Sequence, residues 1–197
     1  MSNSKIPKAI FSWLIIFSII LFVSGCARWP DGPEPGPEPG ETDYQLKITV
    51  EVKGEINTDE GIYYIGLDAN SQSIDGPEED IILWDDEYYY LKLENGFFSF
   101  AQVKDGVEST FYGGSIISTN KFQVIITLSD LGNPNSVDIN VLTTDSENNT
   151  YDSLDNYFTI NTDLGSSVEI TDSEGDLWED GGVDFDLVKV TAQITIS

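Results

Sequence analysis

Beyond Tyr44, apolar and polar residues alternate with a period of two over most of the chain. Leu46, Ile48, Val50 and Val52 alternate with Gln45, Lys47, Thr49 and Glu51, which predicts a strand with one buried face and one wet face. At the far end, Val188, Val190, Ala192, Ile194 and Ile196 alternate with Lys189, Thr191, Gln193 and Thr195. Just before them, Val183, Phe185 and Leu187 alternate on the opposite phase. Both sets reach one face only if the ladder gains a residue, so a β-bulge or bend is expected at Leu187-Val188. Further strands are expected over Ile62–Leu67, Ile81–Trp84, Tyr88–Leu93, Phe97–Val103, Ser115–Ile117, Phe122–Leu128, Val137–Leu142, Tyr157–Ile160 and Val168–Ile170. No stretch carries a long helical stripe, and Gly, Asn and Asp turns separate the runs. The pattern predicts an all-β fold, a single antiparallel β-sandwich of about 9–11 strands over residues 44–197, long enough to enclose a real core. One break is expected at Ser129-Asp130-Leu131-Gly132-Asn133-Pro134, where Ser129 can cap a helical turn, Gly132 can leave it left-handed and Pro134 prevents its continuation.

Asn95-Gly96 is the strongest local signal in this region, because both residues tolerate the positive φ of a two-residue type I′ turn. With Glu94 facing Phe97, Leu93 faces Phe98, Leu91 faces Phe100 and Tyr89 faces Gln102, which is the side turned to the core. The other side places Tyr88 beside Val103, Tyr90 beside Ala101 and Lys92 beside Ser99. The triple tyrosine is thereby divided between the two faces of one strand.

Charge narrows the function classes. The chain has 9 basic and 35 acidic residues, a net charge of −26. Lys5 and Lys8 lie in the leader described next, so the remainder carries 7 basic residues against 35 acidic, a net −28. Nucleic acid and anionic membrane surfaces are excluded as partners, because phosphate binding needs clustered Lys and Arg. Histidine is absent, which removes the commonest general base and the commonest transition-metal ligand. The single cysteine, Cys26, rules out an internal disulfide or a zinc cluster. An enzyme would have to work with carboxylates, hydroxyls or lysine, as glycoside hydrolases do with two carboxylates.

Residues 1–25 have the order of a secretory leader: Lys5 and Lys8, then an apolar run from Ala9 to Val23 broken by Ser12 and Ser18. The run falls short of the ~20 residues that span a bilayer. It ends in Leu21-Phe22-Val23-Ser24-Gly25-Cys26, an aliphatic residue, two small residues and a cysteine. This resembles the lipobox of bacterial lipoproteins. The resemblance implies cleavage before Cys26, a lipid on its sulfur, and anchoring in the membrane of the cell envelope on the extracytoplasmic side. Residues 26–43 then contain Pro33-Glu34-Pro35-Gly36-Pro37-Glu38-Pro39-Gly40, a sequence suited to an extended spacer.

The strand order also resembles the β-sandwiches of DOMON and family 9 carbohydrate-binding domains, and the C-terminal domain of some glucodextranases. The residues that carry it are Tyr63-Tyr64-Ile65-Gly66-Leu67-Asp68, Tyr88-Tyr89-Tyr90-Leu91-Lys92-Leu93, and Phe122 to Gly132, a strand running into a Leu-Ser-Asp-Leu-Gly turn. The resemblance spans about 100 residues through short motifs, and it implies a domain that binds sugar or haem or supports other domains. Haem is not expected here, since the usual axial ligands are missing: there is no histidine, and Met1 is the single methionine.

Two sets of residues are candidates for a site. Trp84, Tyr88, Tyr90 and Trp178, with Asp85 and Asp86, combine rings for stacking with carboxylates for hydroxyl groups, as a carbohydrate platform requires. The same residues also suit a core tryptophan beside a solvated turn. Asp68, Asn70, Gln72 and Glu79 fall at spacings 1, 3, 5 and 12 of a calcium loop, although Ser73 and Asp75 stand where such a loop has a glycine and an apolar residue. Asp145-Ser146-Glu147-Asn148-Asn149 and Asp172 to Asp176 repeat the alternating oxygen ligands. Three functional readings follow: a non-catalytic envelope binding module for polysaccharide, a structural lipoprotein that meets another envelope protein, and a carboxylate-only hydrolase.

Overall fold

The computed structural model describes residues 43–70, 76–172 and 181–197, which belong to one compact unit, Thr42–Ser197. Cys26, Gln72 and Trp178 lie outside the described residues, as does all of residues 1–42, where a leader and a spacer are expected. Two antiparallel sheets face one another, so the fold is the all-β sandwich that the alternation predicts. One sheet has five strands in the order β11 (Ser167–Thr171), β12 (Leu187–Ile196), β1 (Tyr44–Val52), β7 (Lys121–Thr127) and β6 (Gly114–Ser118). The other has seven. Its order is β10 (Phe158–Asn161), β8 (Ser136–Thr144), β2 (Ile62–Asp68), β3 (Tyr89–Glu94), β4 (Phe97–Gln102) and β5 (Ser109–Thr110), with β9 (Thr150–Ser153) also on β8.

The core is built from the inner faces of both sheets. Leu46, Ile48, Val50 and Val52 of β1 meet Tyr63, Ile65 and Leu67 of β2 and Val137, Ile139 and Val141 of β8 in one buried cluster. Tyr63 stacks on Phe185 at 5.4 Å and meets Phe122 edge-on at 5.6 Å. Its hydroxyl donates to the Asp184 carbonyl at 2.9 Å and accepts from Asn57 N–H at 2.8 Å. Burial pushes this phenol up to about 12.

The expected bulge is present. Lys189 pairs with Glu51 and Leu187 with Val52, so Val188 is the extra residue. It lets Phe185 and Leu187 share the core with Val190, Ala192 and Ile194. The Leu187 N–H finds its acceptor in the Asp152 carboxylate at 2.6 Å, and the other Asp152 oxygen takes Ser153 N–H at 2.8 Å. The Asn95-Gly96 hairpin also has the expected register, from Glu94↔Phe97 to Tyr89↔Gln102, with φ of 49° and 77° in the turn.

Three expectations are corrected. Ile81–Leu83 is a 3-10 turn and not a strand: Asp80 Oδ1 accepts from Ile82 N–H at 3.0 Å, and Ile82 and Leu83 are exposed. A run of apolar residues cannot by itself distinguish a strand from a short turn. The turn at Leu128–Leu131 exits through left-handed Gly132 as expected, but Thr127 is its N-terminal neighbour and makes no side-chain cap, so Ser129 does not cap it. Among the described residues there are twelve strands, because β5 and β9, both short and polar, add to those foreseen.

Every residue of β2 is buried, because the outer face of the seven-stranded sheet is also covered. Ile62, Tyr64, Trp84, Tyr88 and Leu142 form a second buried cluster there, joined by Ile81, Tyr90 and Val103. The segment from Gly76 to Tyr88 crosses this face as a strap. Gly66 makes room for it: a Cβ at that position would lie 2.8 Å from the Trp84 ring and 2.9 Å from Pro77. Asn140 Nδ2 donates to the Pro77 carbonyl at 3.0 Å and fixes the strap from the neighbouring strand.

Candidate functional site

The strap decides where the candidate aromatic residues stand. Trp84 is 5% exposed and Tyr88 3% exposed. The Trp84 ring lies over Gly66 and meets Tyr64 edge-on at 6.2 Å, while its Nε1–H donates to the Glu78 carbonyl at 2.8 Å. Both faces of the indole therefore serve the fold. Tyr88 and Tyr90 share one face of the sheet, as the hairpin register implies, and the strap brings Trp84 onto it, but Tyr90 alone of the three is half open. Asp85 and Asp86 are exposed, and with Asn70, Trp84, Glu87 and Tyr88 they rim a shallow depression of about 390 Å³. Asn70 Nδ2 donates to Glu87 across it at 2.7 Å.

A second groove of about 400 Å³ opens beside the strap on the same face. Tyr90 lines it with Tyr64, Lys92, Glu94, Glu108, Ser146 and Asn148. Lys92 and Glu94 are two apart on β3 and so point to one side. Lys92 Nζ lies 2.6 Å from Glu108 and 3.1 Å from Glu94. Glu108 also accepts from Ser99 Oγ at 3.1 Å and from the Tyr90 hydroxyl at 3.3 Å. The Tyr64 hydroxyl donates to Asn148 Oδ1 at 3.1 Å, and the Tyr64 and Tyr90 rings meet edge-on at 6.0 Å.

The electrostatics follow from this packing. Burial alone would raise the Glu108 carboxyl, but Lys92, Ser99 and Tyr90 all bond its charged form and hold it below the usual range. Burial opposes the charge on Lys92 too, and its two carboxylate partners outweigh that and raise its pKa. Burial pushes Tyr64 up to about 12 against the pull of Lys92, and raises Tyr90 with the help of Glu108. Glu108 is thus a fixed acceptor and counter-ion, which suits hydrogen bonding and not proton donation to a leaving group.

No family model, curated protein or solved structure matches this chain.

The calcium set is distributed differently. Asp68 is buried at the end of β2, where its Oδ1 accepts from Asn70 N–H at 2.7 Å. Glu79 lines a different groove of about 430 Å³, with Gly76, Asp155 and Tyr157. Among the described residues no three His, Cys, Asp or Glu side chains are gathered as a metal ion requires. In the 145–149 loop, Asp145 accepts from Asn149 Nδ2 at 2.7 Å, Asn149 N–H at 2.9 Å and Glu147 N–H at 2.7 Å, a turn closed by its own amides. These bonds, led by that of the Asn149 side chain, lower the Asp145 carboxyl. No helix among the described residues is long and apolar enough to cross a membrane.

Lys92, Glu94 and Glu108 are groove residues that belong to neither candidate set, while Tyr64 belongs only to the family resemblance and Ser146 and Asn148 only to an oxygen-rich loop. The available signal was Lys92 itself, one of 7 basic residues beyond Lys8, on the outer face of a strand whose next residue on that face is Glu94.

Proposed function

We propose that this chain is a lipid-anchored protein of a bacterial cell envelope, with a non-catalytic β-sandwich that binds carbohydrate. In this reading residues 1–25 are removed, Cys26 carries the lipid, and the Pro-Glu-Pro-Gly spacer holds the sandwich off the membrane. One observation carries the ligand class: Tyr64, Tyr90, Lys92, Glu94, Glu108 and Asn148 converge on one groove of about 400 Å³. Fixed acceptors, an ammonium donor and tyrosine edges are the groups that hold hydroxyl-rich ligands. The proposal moves the ligand contact from Trp84 and Tyr88, whose rings are covered, to Tyr90 and its polar neighbours.

Calorimetric titration of the full chain with a panel of neutral and acidic polysaccharides tests this. Binding weakened at least tenfold by Tyr90→Ala and by Lys92→Met is the expected result. Absence of heat with every polysaccharide, or binding indifferent to both substitutions, refutes it. Loss of membrane association and of acyl labelling in Cys26→Ala is the expected result for the anchor.

A further inference from the structure

Sheet edges present unpaired backbone groups, and proteins protect them by shortness, charge or cover. Four edges here follow that rule, among them β9 with four residues. β5 has two residues and β10 four, while β11 carries Glu169, which reaches Lys189 at 3.4 Å. β6 is the least protected, since it carries no charge and its one device is a register shift against β7 between Ile116 and Ser118. It has five residues, Gly114-Ser115-Ile116-Ile117-Ser118, and borders the five-stranded sheet. Ile116 is 48% exposed, Ile117 51% and the nearby Tyr112 92%.

The direction of its free bonds can be read from the ladder. The Gly113 carbonyl accepts from Ile125 N–H at 2.9 Å, and Gly114 pairs with Val124, Ser115 with Gln123 and Ile116 with Phe122. Antiparallel alternation then turns the backbone groups of Gly113 and Ser115 to β7 and those of Gly114 and Ile116 outward. The edge is also held in place. A Cβ on Gly114 would lie 2.2 Å from the Phe98 ring, and one on Gly113 2.3 Å from the Ile125 carbonyl, so the strand is seated tightly on the sandwich.

Charge identifies the occupant. Ser109 to Asn120 contains no Asp, Glu, Lys or Arg, in a chain with a net charge of −26. A basic partner would be drawn to the acidic surface elsewhere. A second copy of this chain is repelled by that surface and meets no like charge at this run. Ile116 opposite Phe122 stands on the core side of the sheet, so Ile116 beside Ile116 of another copy continues the apolar inner layer across the junction.

We propose that β6 is a self-association edge: two copies pair their β6 strands antiparallel about a two-fold axis at Ile116, which joins their five-stranded sheets into one. A contact of five residues a side belongs to the small, weak class of interfaces, so the dimer depends on concentration. It also strengthens as salt rises, because the repulsion it must overcome is screened.

The test introduces a thiol into the full chain at Ile116→Cys, and separately at Glu169→Cys on the opposite edge of the sheet, with the unsubstituted chain as the control for Cys26. On mild oxidation Ile116→Cys is expected to give a disulfide-linked species of twice the chain mass, increasing with sodium chloride, while Glu169→Cys stays at the control level. Adding Ser118→Lys to Ile116→Cys should reduce that species severalfold, with far-UV circular dichroism unchanged. Equal cross-linking at both edges, a yield that falls with salt, or no linked species at all overturns the proposal. The last result is also the outcome if the edge is closed by another segment of its own chain.

Discussion

Replacing Trp84 with alanine separates a ring that holds the fold from a ring that holds a ligand. A buried tryptophan removes roughly 150–250 Å² from water, worth about 4–6 kcal/mol at ~25 cal/mol per Å². That is an upper figure, since the unfolded chain already covers part of this surface. The strap lies at the rim and can partly collapse, but it rests on Gly66, which has no side chain to fill the space. The indole hydrogen bond to the Glu78 carbonyl is lost as well, at about 1 kcal/mol. The expected cost of Trp84→Ala is about 3 kcal/mol, near the low end for large-to-small core substitutions. For a domain of this size that corresponds to a fall of roughly 10 °C in melting temperature. Trp84→Phe, which keeps an apolar ring and loses the N–H, should fall between the two. Urea unfolding followed by far-UV circular dichroism gives the number directly, with a comparable m-value as the sign that the unfolded state is unchanged. A cost below about 1 kcal/mol would refute the assignment of Trp84 to the outer cluster, and loss of polysaccharide binding at unchanged stability would return it to the site.

Asp152→Ala should cost about 2 kcal/mol in the same assay, because the Leu187 N–H at the bulge loses a charged acceptor at 2.6 Å while remaining buried. Asp152→Asn keeps one acceptor oxygen for the Leu187 N–H but turns its NH2 towards the Ser153 N–H, so it should recover only part of that cost. The Glu108 carboxyl is held below its ordinary value of 4.5, so its contribution is complete above that pH and is lost as pH falls through the lowered folded value. Glu108→Gln should therefore be less stable than the parent by about 1 kcal/mol at neutral pH, a figure limited by the exposure of the pair, with the difference closing on acidification below pH 4.5. Melting curves across that range check it, and a difference that persists at low pH would show that shape and not charge carries the effect.

The inner faces were legible because their cause is local. Alternation in β1 and the two phases around Leu187-Val188 specify burial directly, and Asn95-Gly96 fixes a register by turn chemistry alone. The strap was not legible. Ile81 to Trp84 has the composition of a strand, and what converts it to a turn is the Asp80 cap together with a sheet face already waiting beneath Trp84. β5 and β9 were missed since Ser109-Thr110 and Thr150–Ser153 have no pattern of their own and are strands because a neighbour supplies the ladder. In the site, the register put Tyr88 and Tyr90 on one face, but gave neither the arrival of Trp84 there nor the depth of the cover, which buries Trp84 and Tyr88. Glu108 was beyond reach for the same reason: its proximity to Lys92 depends on how the 103–110 segment folds back over β4.

The pairing of β1 with β12 has a consequence for how the protein comes into being. Tyr44 is opposite Ile196 and Glu51 opposite Lys189, so the first strand of the sandwich has the last as its neighbour. A chain that emerges from its amino end presents β1 long before β12 exists. The local hairpin of β3 and β4 can close early, and β2 can join it, while one flank of β1 stays vacant until β12 arrives. Completion of the five-stranded sheet therefore waits for β12, and a chain arrested before Leu187 would leave one edge of its most regular strand open along its whole length.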